Sequence, residues 1–162
     1  MPGAPSWGWK ENHPIVNVSW EDAADYAKWA GGNLPTEAQW EKAARGTDGR
    51  EYPWGNNWDT TKCVNSGSST QSVGSLPAGV SIYGCMDMAG NVWEWCVDWY
   101  DVNYYKSAPS RNPSGPSTGD YRVLRGGGWY NYYSVYSVRC ACRSDYYYPN
   151  NSYSDIGFRV AR

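Results

Sequence analysis

The spacing of apolar residues predicts two helices near the start of the chain. Ser19 and Asp22 form an approximate capping box, and the glycines at residues 31–32 end the helix that follows. One face of this helix is apolar and carries Trp20, Ala23, Ala24, Ala27 and Ala30. A second capping signal at residues 36–39 begins another helix, which Gly46 ends.

Residues 92–100 alternate between two sets of side chains, as in a strand with one buried face. The face that we expect to be buried carries Trp93, Trp95, Val97 and Trp99. Residues 123–124 (Val-Leu) and 158–160 (Phe-Arg-Val) predict two further short strands. Residues 47–88 combine Gly, Ser, Pro and Asn with single aromatic residues, which is typical of packed loops. The pattern predicts a single α+β domain, residues 1–162, with two helices, short antiparallel strands and long packed loops.

The segment from residue 130 to residue 155, called here the Tyr-rich segment, differs in composition from the rest of the chain. Of its 26 residues, 20 are Tyr, Ser, Asn, Asp or Cys, and it holds eight of the chain's 15 tyrosines. Lys, Glu, Gln, Met and Trp are absent from it, although they fill 27 of the other 136 positions. None of these five residue types has a codon that ends in a pyrimidine. AAC or AAT codons randomised at their adenines would leave this composition, and such a process favours a binding surface over the preservation of a catalyst.

Charge and hydropathy argue against several classes of function. The formal net charge is −2, which provides no basic surface for nucleic acid or an anionic membrane. No apolar run is as long as a membrane span, and residues 1–9 have no signal-peptide pattern. The five cysteines are an odd number, so at least one thiol is unpaired within the chain.

Six motifs follow one another from residue 13 to the C-terminus. They are HPIVNVSW at 13–20, LPTEAQWE at 34–41, YPWG at 52–55, DMAGNVWEW at 87–95, RVLRGG at 122–127 and IGFRV at 156–160. Together they resemble the formylglycine-generating-enzyme (sulfatase-modifying factor) type of C-type lectin fold. The resemblance implies this fold for nearly the whole chain. The family usually has a strand and a helix before the first motif, so we expect this chain to be short at its N-terminus.

The resemblance also bears on catalysis. The family's oxidase members use two cysteines, soon after the Arg-Gly-Gly strand, that bind copper and attack the substrate. The corresponding residues here are Asn131 and Val135, neither of which supplies a thiolate. Another branch holds nonheme iron with several histidines, whereas this chain has only His13. We therefore expect no catalytic residues and no enzymatic activity, with a divergent enzyme of the sulfatase-modifying group as the alternative.

A third branch fits these residues better. The chain resembles the variable proteins of diversity-generating retroelements, in which adenine-directed mutagenesis changes the C-terminal segment of a binding protein. That segment begins near Arg-Gly-Gly-x-Trp, here residues 125–129, and closes on Ile-Gly-Phe-Arg, here residues 156–159. The resemblance implies a variable region of about residues 122–162, with hypervariable positions inside 130–155. It implies a fixed framework of Trp129, Arg139, Ala141, Arg143 and Pro149.

The predicted variable positions are chosen by residue type within the Tyr-rich segment. Tyr supplies a large contact area at the cost of two side-chain torsions, while Ser and Asn add adaptable hydrogen bonds. We expect Arg139 and Arg143 to be supports, and Asp145 and Asp155 to be exposed. The predicted ligand-binding residues are Tyr130, Asn131, Tyr132, Tyr133, Ser134, Tyr136, Ser137, Cys142, Ser144, Asp145, Tyr146, Tyr147, Asn150, Ser152, Tyr153 and Ser154.

Asn91 and Glu94 are candidate calcium ligands, as their counterparts are in some relatives. The favoured interpretation instead pairs Glu94 with a buried arginine, and we expect no other cofactor. The expected partner is a variable ligand, a protein on a target cell, with no nucleic acid and no membrane insertion. The resemblance implies display on a cell surface or a virion. The remaining alternative is a structural adhesin or virion protein with a fixed ligand.

Overall fold

The computed structural model describes residues 2–130, 135–144 and 147–162. As predicted, the domain combines two helices with a small sheet and long loops. The regular elements are α1 (Trp20–Trp29), α2 (Glu37–Arg45), β1 (Trp93–Trp99), β2 (Arg122–Arg125) and β3 (Ile156–Gly157). Short 3-10 helices occur at Pro77–Gly79 and Tyr104–Lys106. Among the described residues, no helix has both the length and the apolar character needed to cross a membrane.

Both helices begin with the capping boxes that the sequence predicts. The Ser19 hydroxyl accepts a hydrogen bond from the Asp22 amide at 3.1 Å, and the Asp22 carboxylate accepts one from the Ser19 amide at 2.9 Å. Thr36 and Gln39 exchange the same pair of bonds at the start of α2, at 3.1 and 2.8 Å. Each box satisfies amides that the first helical turn leaves without partners, and this fixes where the helix begins.

The three strands form one mixed sheet in the order β2-β1-β3. β1 is antiparallel to β2 and parallel to β3, so the prediction of antiparallel strands is wrong for β3. The position of β3 also differs, because the strand is Ile156–Gly157 and residues 158–160 lie beyond it. A strand of two residues is defined by its pairing with Trp93 and Glu94 of β1, and a local pattern does not contain that pairing.

β1 is buried on both faces, which corrects the expectation of a half-buried strand. One face packs with α1 in a cluster of Ala23, Ala24, Ala27, Leu34, Trp93, Trp95, Leu124 and Ile156. The other face packs with α2 in a cluster of Trp40, Ala44, Met88, Cys96, Val123 and Cys140. Glu94 and Asp98, on the second face, are only 4% and 2% exposed. Burial raises the pKa of Asp98 to about 6. Trp99, also expected in the core, is half-buried.

Arg122 holds the far end of β1 against β2. Its guanidinium lies between the indole rings of Trp20 and Trp99, 3.7 and 3.5 Å from their centroids. It also donates a hydrogen bond to the Val97 carbonyl. The pairing of the two strands is irregular between Trp95 and Trp99, so this cation–π stack stabilises the part of the sheet where the backbone ladder is interrupted.

Candidate functional site

The Tyr-rich segment is attached to the rest of the domain through its backbone. Hydrogen bonds of 2.7 to 3.1 Å join Cys140 to Glu51, Ser144 to Leu124, Pro149 to Trp20, Tyr153 to Asn17 and Asp155 to Trp93. A backbone hydrogen bond does not depend on the side chain of either residue, proline donors excepted. The path of the described part of the segment is therefore compatible with exchange of its side chains.

Arg143 joins the segment to α2 through its side chain, in the supporting position expected from the sequence. Its Nε and Nη2 donate to the Glu37 carboxylate at 2.6 and 2.8 Å, and its Nη1 donates to the Asp101 carbonyl at 3.1 Å. Glu37 is 1% exposed and also accepts a hydrogen bond from the Tyr105 hydroxyl at 3.2 Å. A buried carboxylate is stable only with such compensation, so Glu37 fixes the place of Arg143.

Arg125 and Trp129 support the segment from its N-terminal side. Arg125 is fully buried, and it donates to the Cys142 carbonyl and to the Glu41 carboxylate. The Trp129 indole is 9% exposed and donates to the Ser154 carbonyl at 3.0 Å. Both side chains bind backbone carbonyls of the segment, so both contacts are again independent of side-chain identity at the receiving position.

The predicted ligand-binding residues fall into four groups. The exposed residues are Tyr130, Tyr136, Asn150, Ser152 and Tyr153. The half-buried residues are Ser137, Cys142, Tyr147 and Ser154. One residue, Ser144, is buried. The residues that lie outside the described part of the chain are Asn131, Tyr132, Tyr133, Ser134, Asp145 and Tyr146.

Three of these residues are set back from the exposed ones. Ser144 is 7% exposed and forms a β-bridge with Leu124. Cys142 and Tyr147 pack against the α1 core cluster, and burial raises the pKa of both side chains. Conversely, the predicted set omits Tyr148, which is 50% exposed. Residue type does not distinguish these positions, because Tyr and Ser serve equally at a surface and at its inner edge.

Asp155 is half-buried, so the prediction that it is exposed is wrong. Burial raises the pKa of its carboxyl. Its carbonyl accepts the hydrogen bond of the Trp93 amide at 2.7 Å. A Cβ atom at Gly128 would lie 3.1 Å from Asp155 Cβ and 3.2 Å from the Trp93 ring, so these contacts favour glycine at residue 128.

The thiols and the single histidine show no arrangement typical of a nucleophilic site among the described residues. All five cysteines are free thiols. Burial raises the pKa of Cys63 and of Cys140 to about 12, and raises that of Cys96 well above its ordinary value. Such thiols are protonated near neutral pH and are therefore weak nucleophiles. The His13 Nδ1 lies 2.9 Å from the Thr70 hydroxyl, within hydrogen-bonding distance.

Asn91 and Glu94 do not present free oxygens to a shared metal ion. The Asn91 amide is bonded in both directions to the Gln71 backbone, at 3.0 and 3.1 Å. The two Glu94 oxygens accept from Arg159 at 2.5 and 2.6 Å, and one also accepts from the Trp40 indole at 2.6 Å. Glu94 thus has an arginine partner as predicted, although Arg159 is half-buried and not buried. These two side chains do not fit a calcium ligand set. Within the described ranges, no group of three or more His, Cys, Asp or Glu is arranged to hold a metal.

Glu37→Gln should lower the free energy of unfolding by about 3 kcal/mol, because Arg143 and Arg125 then lose the charge that compensates them. The matched control is Glu51→Gln. Glu51 pairs with Arg139 where the side chains are 47% and 36% exposed, and solvent screens that pair. Urea denaturation followed by tryptophan fluorescence measures both variants. Equal losses would contradict the supporting role of Glu37.

Residues 4–162 match the sulfatase-modifying factor enzyme 1-like domain. The formylglycine-generating enzyme of Streptomyces coelicolor is 43% identical over 171 residues, which cover 94% of this chain and 53% of that enzyme. The serine/threonine-protein kinase Pkn1 of Chlamydia trachomatis is 45% identical over 153 residues, which cover 93% of this chain and 24% of the kinase. The chain therefore spans about half the length of the first relative and about a quarter of the second.

Solved structures share the same fold. PvdO from Pseudomonas aeruginosa superposes with a TM-score of 0.82 at 26% identity, over 98% of this chain and 65% of PvdO. Treponema denticola variable protein 1 superposes with a TM-score of 0.74 at 24% identity, over 98% of this chain and 74% of that protein. At 24% identity, the likeness to the Treponema denticola protein concerns the fold alone.

The expectation that this protein is not an enzyme is contradicted by its relatives. Those that are 43% and 39% identical to it are named formylglycine-generating enzymes. The expectation depended on two positions, Asn131 and Val135, together with the single histidine, whereas the similarity extends over almost the whole chain. From residue 4 to residue 162, the chain belongs to the sulfatase-modifying factor enzyme 1-like domain family.

Proposed function

We propose that this domain binds ligands as a receptor or attachment domain of the C-type lectin type, with a Tyr-rich segment that is diversified by adenine-directed retroelement mutagenesis. The observation that carries the proposal is the composition of residues 130–155, where 20 of 26 residues are Tyr, Ser, Asn, Asp or Cys. Every residue type in that segment has a codon that ends in a pyrimidine. The composition therefore matches what randomised AAC and AAT codons would encode.

The exposed tyrosines support a protein as the ligand. Tyr130, Tyr136 and Tyr153 are 68%, 62% and 44% exposed, and Tyr148 is 50% exposed. Each ring offers a large amphipathic contact with only two side-chain torsions to order. Tyrosine is also enriched among the residues that contribute most to binding energy in protein interfaces.

The attachment of the segment supports variation of its side chains. Its described residues are held in place by backbone hydrogen bonds and by Arg125 and Arg143, which both pair with the buried Glu37. Substitutions at the exposed positions then change the surface without changing what positions it. This separation of a fixed path from exchangeable side chains is what a diversified binding domain needs.

The charges of the segment also favour a protein partner. Arg139 pairs with Glu51 and Arg143 with Glu37, so both cations are already compensated. A surface without free positive charge has little attraction for nucleic acid or an anionic membrane. We propose a protein on a target cell as the partner, and display of the domain on a cell surface or a virion.

An enzymatic activity like that of the relatives is the second candidate, favoured by the 43% identity to a formylglycine-generating enzyme. A thiol-dependent reaction in this domain would use Cys85 or Cys142, which are half-buried, since the other three cysteines are buried. Burial raises the pKa of Cys142, while the charge of Arg125 acts in the opposite direction.

Exchange of Tyr130, Tyr136 and Tyr153 to Ser in one variant should lower the free energy of unfolding by less than about 2 kcal/mol, because exposed side chains contribute little to stability. The control is Tyr52→Ser. Tyr52 is 2% exposed and stacks on Trp54 at 5.3 Å, so its loss should cost about 3 kcal/mol or more. Denaturant unfolding measures both variants. A triple variant as unstable as the control would show that these tyrosines belong to the core.

Sequencing of the locus in several isolates tests the diversification itself. We expect a near-copy of codons 122–162 nearby, next to a reverse transcriptase gene, with differences only where the copy has adenine. The differing codons would then mark the binding positions. Absence of a repeat, with identical tyrosine codons in all isolates, would instead favour a structural adhesin or virion protein with a fixed ligand.

Oxygen uptake tests the second candidate. If it holds, the domain consumes oxygen in the presence of a thiol-containing peptide, and either Cys85→Ser or Cys142→Ser abolishes the uptake. The control is Cys63→Ser, because Cys63 is 6% exposed and should not reach a substrate. Uptake no faster than in the peptide-free reaction would remove this candidate.

A further inference from the structure

Tyr121 lies outside the Tyr-rich segment in sequence but contacts it in space. It directly precedes β2, and its carbonyl accepts a hydrogen bond from the Tyr100 amide at 2.8 Å. The next residue, Arg122, is stacked between Trp20 and Trp99. The backbone of Tyr121 is therefore held by the sheet and by the residue that follows it.

The ring of Tyr121 is packed against Tyr148 of the segment. The ring centroids are 4.7 Å apart at an interplanar angle of 44°, and the hydroxyl oxygens are 3.3 Å apart. Tyr121 is half-buried and Tyr148 is 50% exposed, so Tyr148 is the outer ring of the pair. The carbonyl of the neighbouring Pro149 accepts the Trp20 amide at 2.9 Å, which holds the backbone next to residue 148.

The two rings differ in what the proposed mutagenesis can do to them. Tyr148 lies inside the diversified segment, whereas Tyr121 lies before the Arg-Gly-Gly motif and outside residues 130–155. A small residue at position 148, such as Ser or Asp, removes the outer ring and uncovers an aromatic face of Tyr121. An aromatic ring on a fixed backbone binds a partner at a low entropic cost, because few torsions remain to be ordered.

We infer that Tyr121 is a fixed binding residue next to the Tyr-rich segment. It is covered by Tyr148 in this chain and is presented to the ligand when residue 148 is small. This inference depends on the proposed binding function. The ligand is a protein that presents an apolar or aromatic side chain to the phenol face. Variation at position 148 thereby selects whether a variable ring or the fixed ring makes the contact.

The experiment uses the full chain displayed on phage, with codons 130, 136, 148, 150 and 153 randomised and with streptavidin and ubiquitin as separate targets. Selected clones are grouped by residue 148. Tyr121→Ala should weaken binding about tenfold in clones with a small residue at 148, and much less in clones that keep Tyr148. Tyr83→Ala is the matched control, since Tyr83 is 55% exposed and its ring lies against Lys42 of α2, so its loss should leave affinity unchanged.

The outcomes separate the inference from the proposed function. Binders whose affinity does not depend on Tyr121 in the small-residue clones would overturn the inference and leave the binding function intact. A library that yields no binder to either target would overturn both. The melting temperature of each variant shows whether it is folded.

A second measurement keeps Tyr121 intact, in case Tyr121→Ala does not fold. Nitration of Tyr121 by tetranitromethane is followed by mass spectrometry in small-residue clones, with and without bound target. Bound target should slow the nitration of Tyr121 about tenfold while leaving that of Tyr83 unchanged. Equal rates for Tyr121 in the free and bound states would overturn the inference.

Discussion

The burial of Glu37 is the constraint on which the position of the Tyr-rich segment depends. A carboxylate at 1% exposure requires compensating charge and hydrogen bonds, and here they come from Arg143, Arg125 and the Tyr105 hydroxyl. Arg143 belongs to the Tyr-rich segment and is 106 residues away from Glu37 in sequence. The first turn of α2 therefore fixes a segment near the other end of the chain. β1, buried on both faces, separates this network from the α1 core.

This arrangement explains how a segment of unusual composition can lie on a specific fold. The path of its described residues is set by backbone hydrogen bonds and by arginines that bind carboxylates or carbonyls, while several of its tyrosines are exposed to solvent. Side chains that do not determine the path are open to substitution. The fixed ring of Tyr121 adds a part of the surface that substitution within the segment does not alter, only covers or uncovers.

Membership of an enzyme-containing family and a proposed binding role are compatible, because a fold does not by itself determine a function. The family is shared with relatives named formylglycine-generating enzymes, and the fold is shared with a variable protein. Few residues distinguish an enzymatic role from a binding role. Three cysteines are buried with raised pKa values, and the half-buried thiols of Cys85 and Cys142 are the ones left for chemistry of the relatives' type.

The sequence by itself determined the helix starts at Ser19 and Thr36, the existence of the tryptophan strand and the chemical character of residues 130–155, because these depend on local hydrogen bonds, periodicity and composition. Only the tertiary structure decided the parallel pairing of β3, the burial of Ser144, the partial burial of Asp155, and the contact of Tyr121 with Tyr148. Each of these is set by residues distant in sequence. A local pattern states which side chains are present, and long-range packing decides which of them meet solvent.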